Sequence, residues 1–187
     1  MKISTTFEIV KQSLYSVQYD LYEVSEFRRI FDFWNNAELL FEYFQENKKD
    51  LDSHFWKGIS IPSAVLKTRN EANKLENKLL KIAEAGKRNK LNGLSSFFRP
   101  LVDGKIELKF EKDKAKWPHK RSWLRIYAIR MGVNIFVISG GGIKLTSKMS
   151  QCKNLMGELR KLQLVKDFLE KNESVFFEMF EIENNDY

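Results

Sequence analysis

Hydrophobic positions along this chain change period from helix to strand and back, and the changes mark out the elements. LYSVQYDLYEV at 14–24 is rich in aromatic and β-branched residues and predicts a strand. Ser25 is placed to cap a helix after it. In EFRRIFDFWNNAELLFEYFQENKKDL, Phe27, Ile30, Phe31 and Trp34, then Leu40, Phe41 and Phe44, recur at helical spacing. Asn35-Asn36 predicts a break into two pieces. SIPSAVLKTRNEANKLENKLLKIAEAG predicts a helix of about 22 residues, judged by its end signals. Pro62 suits its first turn and Gly86 its C-terminal cap. Val65, Ala72 and Leu79 form its apolar stripe, with Leu75 and Ile82 between them.

After Gly86 the period becomes two. In KIELKF (105–110), Ile106, Leu108 and Phe110 face one way and Lys105, Glu107 and Lys109 the other. In WLRIYAI (123–129), Leu124, Ile126 and Ala128 alternate with Trp123, Arg125 and Tyr127. NIFVIS (134–139) is apolar on both faces, as a central strand is. Met131 to Asn134 reads as a hairpin turn. MSQCKNLMGELRKLQLVKDFLEK closes with a helix that lines up Leu155, Leu159, Leu162 and Val165. The order is strand, helices, three antiparallel strands, helix. This predicts an α+β fold with a small, mainly antiparallel sheet covered on one face by helices. The other face is then open and carries Lys105, Glu107, Lys109, Arg125 and Tyr127. Residues 1–172 are expected to form one domain, with an acidic tail at 173–187 that has no fixed fold.

Charge sharpens this picture. The net charge is +7, but residues 86–150 hold 15 Lys/Arg against 4 Asp/Glu, and residues 167–187 hold 1 against 7. A basic middle suggests a polyanionic partner; a solvated lysine surface explains the same counts. No apolar run reaches membrane-spanning length, and the N-terminus lacks an apolar signal core. The single cysteine, Cys152, and two distant histidines, His54 and His119, offer no metal-ligand spacing. A cytoplasmic protein with no membrane contact, metal or cofactor is expected.

The strand texts in this order resemble the RelE/ParE toxin superfamily of bacterial toxin–antitoxin systems. The resemblance covers residues 62–165, with 1–61 as an N-terminal strand and helix extension. Its parts are the helix hairpin, the lead-in FRPLVDG (98–104), the charged strand KIELKF, the arginine strand WLRIYAI, the hydrophobic strand NIFVIS and the basic turn GGGIKLTSK. The sequence departs from the family where an aromatic or histidine often follows that turn; Met149 stands there. The ribonuclease branch of the superfamily cuts mRNA, usually on the ribosome, without a metal. The resemblance therefore implies a metal-independent endoribonuclease toxin, with mRNA and a cognate antitoxin as partners. It also leaves open a ParE-like inhibitor of a protein target such as DNA gyrase, and an interaction protein that reuses the fold.

By position, the resemblance puts Lys105, Glu107 and Lys109 in the charged cluster, Arg125 on the third strand, and Lys144 with Lys148 after the last strand. Arg125 is the expected phosphate ligand, its planar fork matching the anion. Glu107 and His119 are the candidate proton-transfer groups. Tyr127 is expected to stack on a base. Lys105, Lys109, Lys120, Arg121 and Lys148, with Trp123, are expected to hold RNA, because basic residues interleaved with aromatics suit a nucleic acid. Each has a plainer reading: Arg125 paired with Glu107 across strands, His119 a loop residue, and KDKAKWPHKRSW (112–123) a hairpin tip. Gly140-Gly141-Gly142 lacks the spacing of a nucleotide-binding loop and reads as a strand-ending turn that needs positive φ.

Overall fold

Two strands, not one, begin the chain. β1 (Ile3–Val10) pairs antiparallel with β2 (Leu14–Tyr19), and Gln12 turns between them at φ 57°. The left-handed turn is held by the Gln12 N–H donating to Glu8 Oε1 over 2.8 Å. The structure, a computed structural model, describes residues 1–53, 56, 58–89, 92–100, 111–116, 122–146 and 153–172, with 111–113, 115–116 and 153–155 as backbone only.

The helices follow as their local signals direct. Ser25 caps α1 (Glu26–Asn35), its hydroxyl accepting from Arg28 N–H. Asn36 ends α1 and caps α2 (Ala37–Glu46), accepting from Glu38 and Leu39 N–H. The expected break at Asn35-Asn36 is thus a cap-to-cap junction. A short α3 (Lys48–Leu51) precedes α4 (Ile61–Arg88), which Ser60 caps and which carries Pro62 in its first turn. α4 runs through Gly86 instead of ending there. A Cβ at Gly86 would stand 2.1 Å from Asn134 Oδ1, so the glycine admits a close neighbour and is not a cap. Then come α5 (Leu94–Phe97), β3 (Arg99–Pro100), β4 (Glu111–Lys116), β5 (Leu124–Arg130), β6 (Phe136–Ile143) and α6 (Lys153–Lys171).

The described strands form one sheet in the order β1-β2-β6-β5-β4-β3, antiparallel except for the parallel pair β2 and β6. The fold is α+β. On one face, α1, α2 and α4 bury Leu124, Ile126, Ala128, Phe136 and Ile138 beneath Trp34, Phe44, Leu75 and Leu79. The expected open face is closed as well. α6 lays Leu162, Val165 and Leu169 over Tyr15, Val17, Tyr19, Tyr127, Ile129 and Val137.

Three further expectations change. β2 stops at Tyr19, and part of the segment read as a hairpin tip is β4, in register with β5 from Glu111↔Arg130 to Lys116↔Arg125. The three glycines lie inside β6 and none has positive φ. They admit close neighbours: a Cβ at Gly140 would lie 1.9 Å from Glu158 Oε2, and one at Gly141 would lie 2.9 Å from Arg125 O and 3.1 Å from Ile30 Cδ1. The strand expected at 105–110 and the tail at 173–187 lie outside the described residues. The turn after β5 is present: Met131 and Gly132 N–H both donate to Ile135 O.

Candidate functional site

The start of β5 pairs with the end of β6, and three basic residues fall at or beside these strand ends in the register. Leu124 pairs with Ile143, Arg125 with Gly142, and the Lys144 N–H donates to Trp123 O over 2.8 Å. On the other side of β5, Lys116 is in register with Arg125 and Lys114 with Tyr127. Three positively charged residues therefore occupy adjacent strand ends: Lys116, Arg125 and Lys144.

Arg125 is half-buried and held. Its Nη1 donates to Ser122 O at 3.0 Å and to Leu124 O at 2.7 Å, which fixes the plane of the guanidinium. Burial pulls its pKa below the ordinary arginine value, and the charges of Tyr127 and Glu71 oppose that shift. It stays a cation, because an arginine keeps its proton through far larger perturbations. Glu71 of α4 stands nearby. It pairs with Lys67 and accepts from Ser122 Oγ at 2.8 Å, so it is tied through Ser122 to the residue whose carbonyl holds Arg125. The sequence reading did not single out Glu71; on an amphipathic helix it looks like any solvated i,i+4 partner of Lys67.

Two expected RNA contacts are core residues. Tyr127 is 1% exposed beneath α6, because α6 occupies the sheet face on which the tyrosine stands. Trp123 is fully buried one residue before β5, against Phe44 at 5.4 Å and Trp56 at 4.9 Å between ring centroids. Its indole N–H donates to Thr68 Oγ1, and the Lys67 ammonium sits over its ring. Neither ring is available to a base. Lys144 is half-buried and follows β6 directly, with no glycine turn before it. Glu107, His119, Lys105, Lys109, Lys120, Arg121 and Lys148 lie outside the described residues.

A second charged cluster lies where α1 and α6 meet beside β6. Glu26, 1% exposed, accepts from Arg29 through both oxygens at 2.6 and 2.7 Å, and from Lys161 Nζ at 2.6 Å. Lys161 also donates to Glu158 Oε1 at 3.0 Å. Burial pushes the Glu158 carboxyl above the ordinary carboxylate range, and Lys161 pulls it back in part. Glu158 Oε2 is buried and accepts no hydrogen bond among the described residues. Burial also pushes the Tyr19 hydroxyl well up, with the charges of Glu26 and Glu158 adding to it; the phenol stays protonated and donates to Ser139 O at 2.7 Å. A cavity of about 170 Å³ opens beside the cluster, between α1, α2, β6 and α6.

Among the described residues, no three His, Cys, Asp or Glu side chains come together as a metal site requires, and no helix is long and apolar enough to cross a membrane. No family model, no curated protein and no solved structure matches the chain.

Proposed function

We propose that this protein is the toxin of a toxin–antitoxin pair and acts on mRNA as a metal-independent endoribonuclease. One observation carries the reading: Arg125 is held by two backbone carbonyls at the sheet end, in register with Lys116 on one side and the side-chain-free Gly142 on the other, with Lys144 two residues beyond Gly142. A half-buried, oriented guanidinium meets a phosphate with little reorganisation, and it stabilises the charge that builds on the phosphate as the 2′-hydroxyl attacks. Lys144 shares that load. The proton transfers fall to Glu107, which the resemblance puts in the charged cluster, and to His119, the histidine of the basic loop, with Glu71 as a described carboxylate whose charge acts on Arg125.

The test is induced expression in a bacterial host with primer-extension mapping of mRNA 5′ ends, wild type beside Arg125→Ala. Growth arrest with new ends, both lost in a variant that still folds, supports the reading. Ends that persist in Arg125→Ala remove the proposed centre.

The burial of Tyr127 and Trp123 beneath helices favours a second reading, a non-catalytic inhibitor of a protein target such as DNA gyrase. A sheet face closed by α6 offers no stacking platform for RNA bases. Arrest without new 5′ ends, together with blocked DNA supercoiling in vitro, selects it.

A further inference from the structure

We infer that one flank of α4, carrying Lys67, Lys74, Lys78 and Lys81, is a track for the phosphate chain of single-stranded RNA on its way to Arg125. This rests on the reading of Arg125 as a phosphate ligand, and it names the surface that brings the strand there.

The first observation is where the flank lies. Residues three, four and seven apart share a side of a helix, so these four lysines form one row. The near end of the row meets the residues that hold Arg125. The Lys67 ammonium sits 5.0 Å from the centroid of the Trp123 ring. Glu71 accepts from the hydroxyl of Ser122, whose carbonyl accepts from Arg125. Further along, the Lys78 ammonium sits 5.7 Å from the centroid of the Phe97 ring, just before β3. There the exposed Arg99 is in register with Lys114 of β4. Between Lys67 and Lys81 the helix rises about 21 Å, room for several nucleotides.

The second observation is the charge pattern. A solvated helix face alternates its signs, because an acid three or four residues from a base stabilises the helix. This row does not. Lys74 and Lys78 stand four apart and Lys78 and Lys81 three apart, so like charges are neighbours. The row's one acid, Glu71, is engaged by Lys67 and Ser122. Glu84, one turn beyond Lys81, pairs with Lys87. The opposite flank of α4 is mixed, with Arg69 and with Glu76, on which the charge of Arg28 acts. A row of like charges repels itself, and a polyanion running along it relieves the repulsion. Lys74 and Lys81 are exposed, so an extended chain reaches both. The chain is a single strand on the reading above, where the substrate is mRNA.

The experiment is fluorescence anisotropy of the full chain with labelled 2′-O-methyl oligoribonucleotides of four and sixteen nucleotides, whose blocked 2′ oxygens prevent cleavage. Lys74→Glu with Lys81→Glu should weaken the long oligonucleotide at least tenfold and the short one less than twofold. Lys74→Gln with Lys81→Gln should give a smaller loss of the same kind. For the long oligonucleotide, the dependence of log affinity on log salt should flatten by about 1.4 in the Glu pair, for two phosphate contacts removed from a single strand. Lys2→Glu with Lys11→Glu makes the same charge change on either side of β1, at the other edge of the sheet, and should cost less than threefold. Equal losses in the two Glu pairs, equal losses for the two lengths, or no saturable binding of the long oligonucleotide to wild type overturns the track. So does a duplex of the same length that binds tighter than the single strand. The Arg125 reading fails separately: it falls if Arg125→Ala keeps both the new mRNA 5′ ends and the wild-type affinity for the short oligonucleotide. Loss of both in Arg125→Ala, with the α4 pair no weaker than the β1 pair, removes the track and leaves the nuclease.

Discussion

Lys161 on α6 donates to Glu26 on α1 over 2.6 Å, and so joins the helix on one face of the sheet to the first turn of a helix on the other. Glu26 is the shared acceptor for two cations, since Arg29 grips it as a fork. Removing its charge takes the fork from half-buried Arg29 and leaves Lys161 with Glu158 alone. Glu26→Gln is expected to cost about 3–5 kcal/mol of stability, the usual result of breaking a buried pair from one side. Urea denaturation at pH 7 measures it, and a loss below about 1 kcal/mol, the scale of an exposed pair, would show that the cluster is solvated.

Glu158 differs because its carboxyl is held above the ordinary value of 4.5 by burial, against the pull of Lys161. A carboxyl whose folded pKa is raised binds its proton more tightly when folded. Its contribution to stability is present below the unfolded pKa and is lost as pH rises through the folded one. Wild type should therefore lose stability relative to Glu158→Gln as pH rises from about 4.5, the unfolded value, toward neutrality. Glu76, also raised by burial, titrates in the same direction in both proteins and cancels from the comparison. Urea midpoints at pH 4.5, 5.5 and 7 decide it, and parallel curves for the two proteins would refute the shift.

The glycines of β6 make a paired prediction. A methyl at Gly140 meets the far end of a side chain, Glu158 Oε2, whereas a methyl at Gly141 meets the backbone carbonyl of Arg125. Gly140→Ala is expected to cost about 1–3 kcal/mol, as overpacking does. Most of that loss should disappear in a Glu158→Ala background, a non-additivity that a double-mutant cycle reads directly. Gly141→Ala should cost as much or more and show no relief in that background. Equal, additive losses at both positions would mean that Glu158 does not pack over Gly140.

These contacts explain where the sequence was legible and where it was not. The caps Ser25, Asn36 and Ser60 act within three residues of themselves, so α1, α2 and the start of α4 could be read locally. The alternation in β5 was equally plain. It fixed which residues share a face, but not what covers that face: the apolar stripe of α6 reads the same whichever side of the sheet it packs on. Tyr127 was therefore placed beside Arg125 as an exposed partner, while the structure buries it. The reason for a glycine can also lie far away in sequence. Asn134 explains Gly86, Glu158 explains Gly140, and Arg125 with Ile30 explains Gly141. Glu26 in a first helical turn resembles a solvated carboxylate answering the helix dipole. Only the fold brings Lys161 to it across 135 residues. β1 escaped notice because this edge strand, with Ser4, Thr5, Phe7 and Glu8 exposed, carries little apolar alternation.

Asn134 offers a test of how the layers are joined. Its Nδ2 donates to Ser13 Oγ at 2.8 Å and to Ala83 O at 3.2 Å, and its Oδ1 accepts from Leu94 N–H at 2.7 Å. One side chain thus ties the first hairpin, α4, α5 and the turn before β6. Asn134→Ala should leave the Leu94 N–H buried without an acceptor and cost about 2–4 kcal/mol for the lost bonds and the orphaned donor. Asn134→Asp should be worse at pH 7, because it sets a carboxylate against the Ala83 carbonyl. Thermal denaturation of both variants checks the order, and an Asp variant more stable than the Ala variant would reverse the assigned orientation of the amide.

The last prediction separates charge from geometry at Arg125. Lysine keeps the positive charge, but it cannot hold the Ser122 and Leu124 carbonyls through one nitrogen while turning further planar donors toward a phosphate. On the reading proposed above, Arg125→Lys should retain most of the RNA affinity at low salt yet lose cleavage nearly as fully as Arg125→Ala, because transition-state stabilisation depends on oriented donors more than on net charge. Arg125→Ala should also flatten the dependence of log affinity on log salt by about 0.7 for the one phosphate contact removed from a single strand. Filter binding between 50 and 300 mM salt, run beside cleavage of the same RNA, gives both numbers. Cleavage that survives in Arg125→Lys would make Arg125 a counter-charge only and move the chemistry to another residue. A salt slope that does not change in Arg125→Ala would place the phosphate chain elsewhere on the protein.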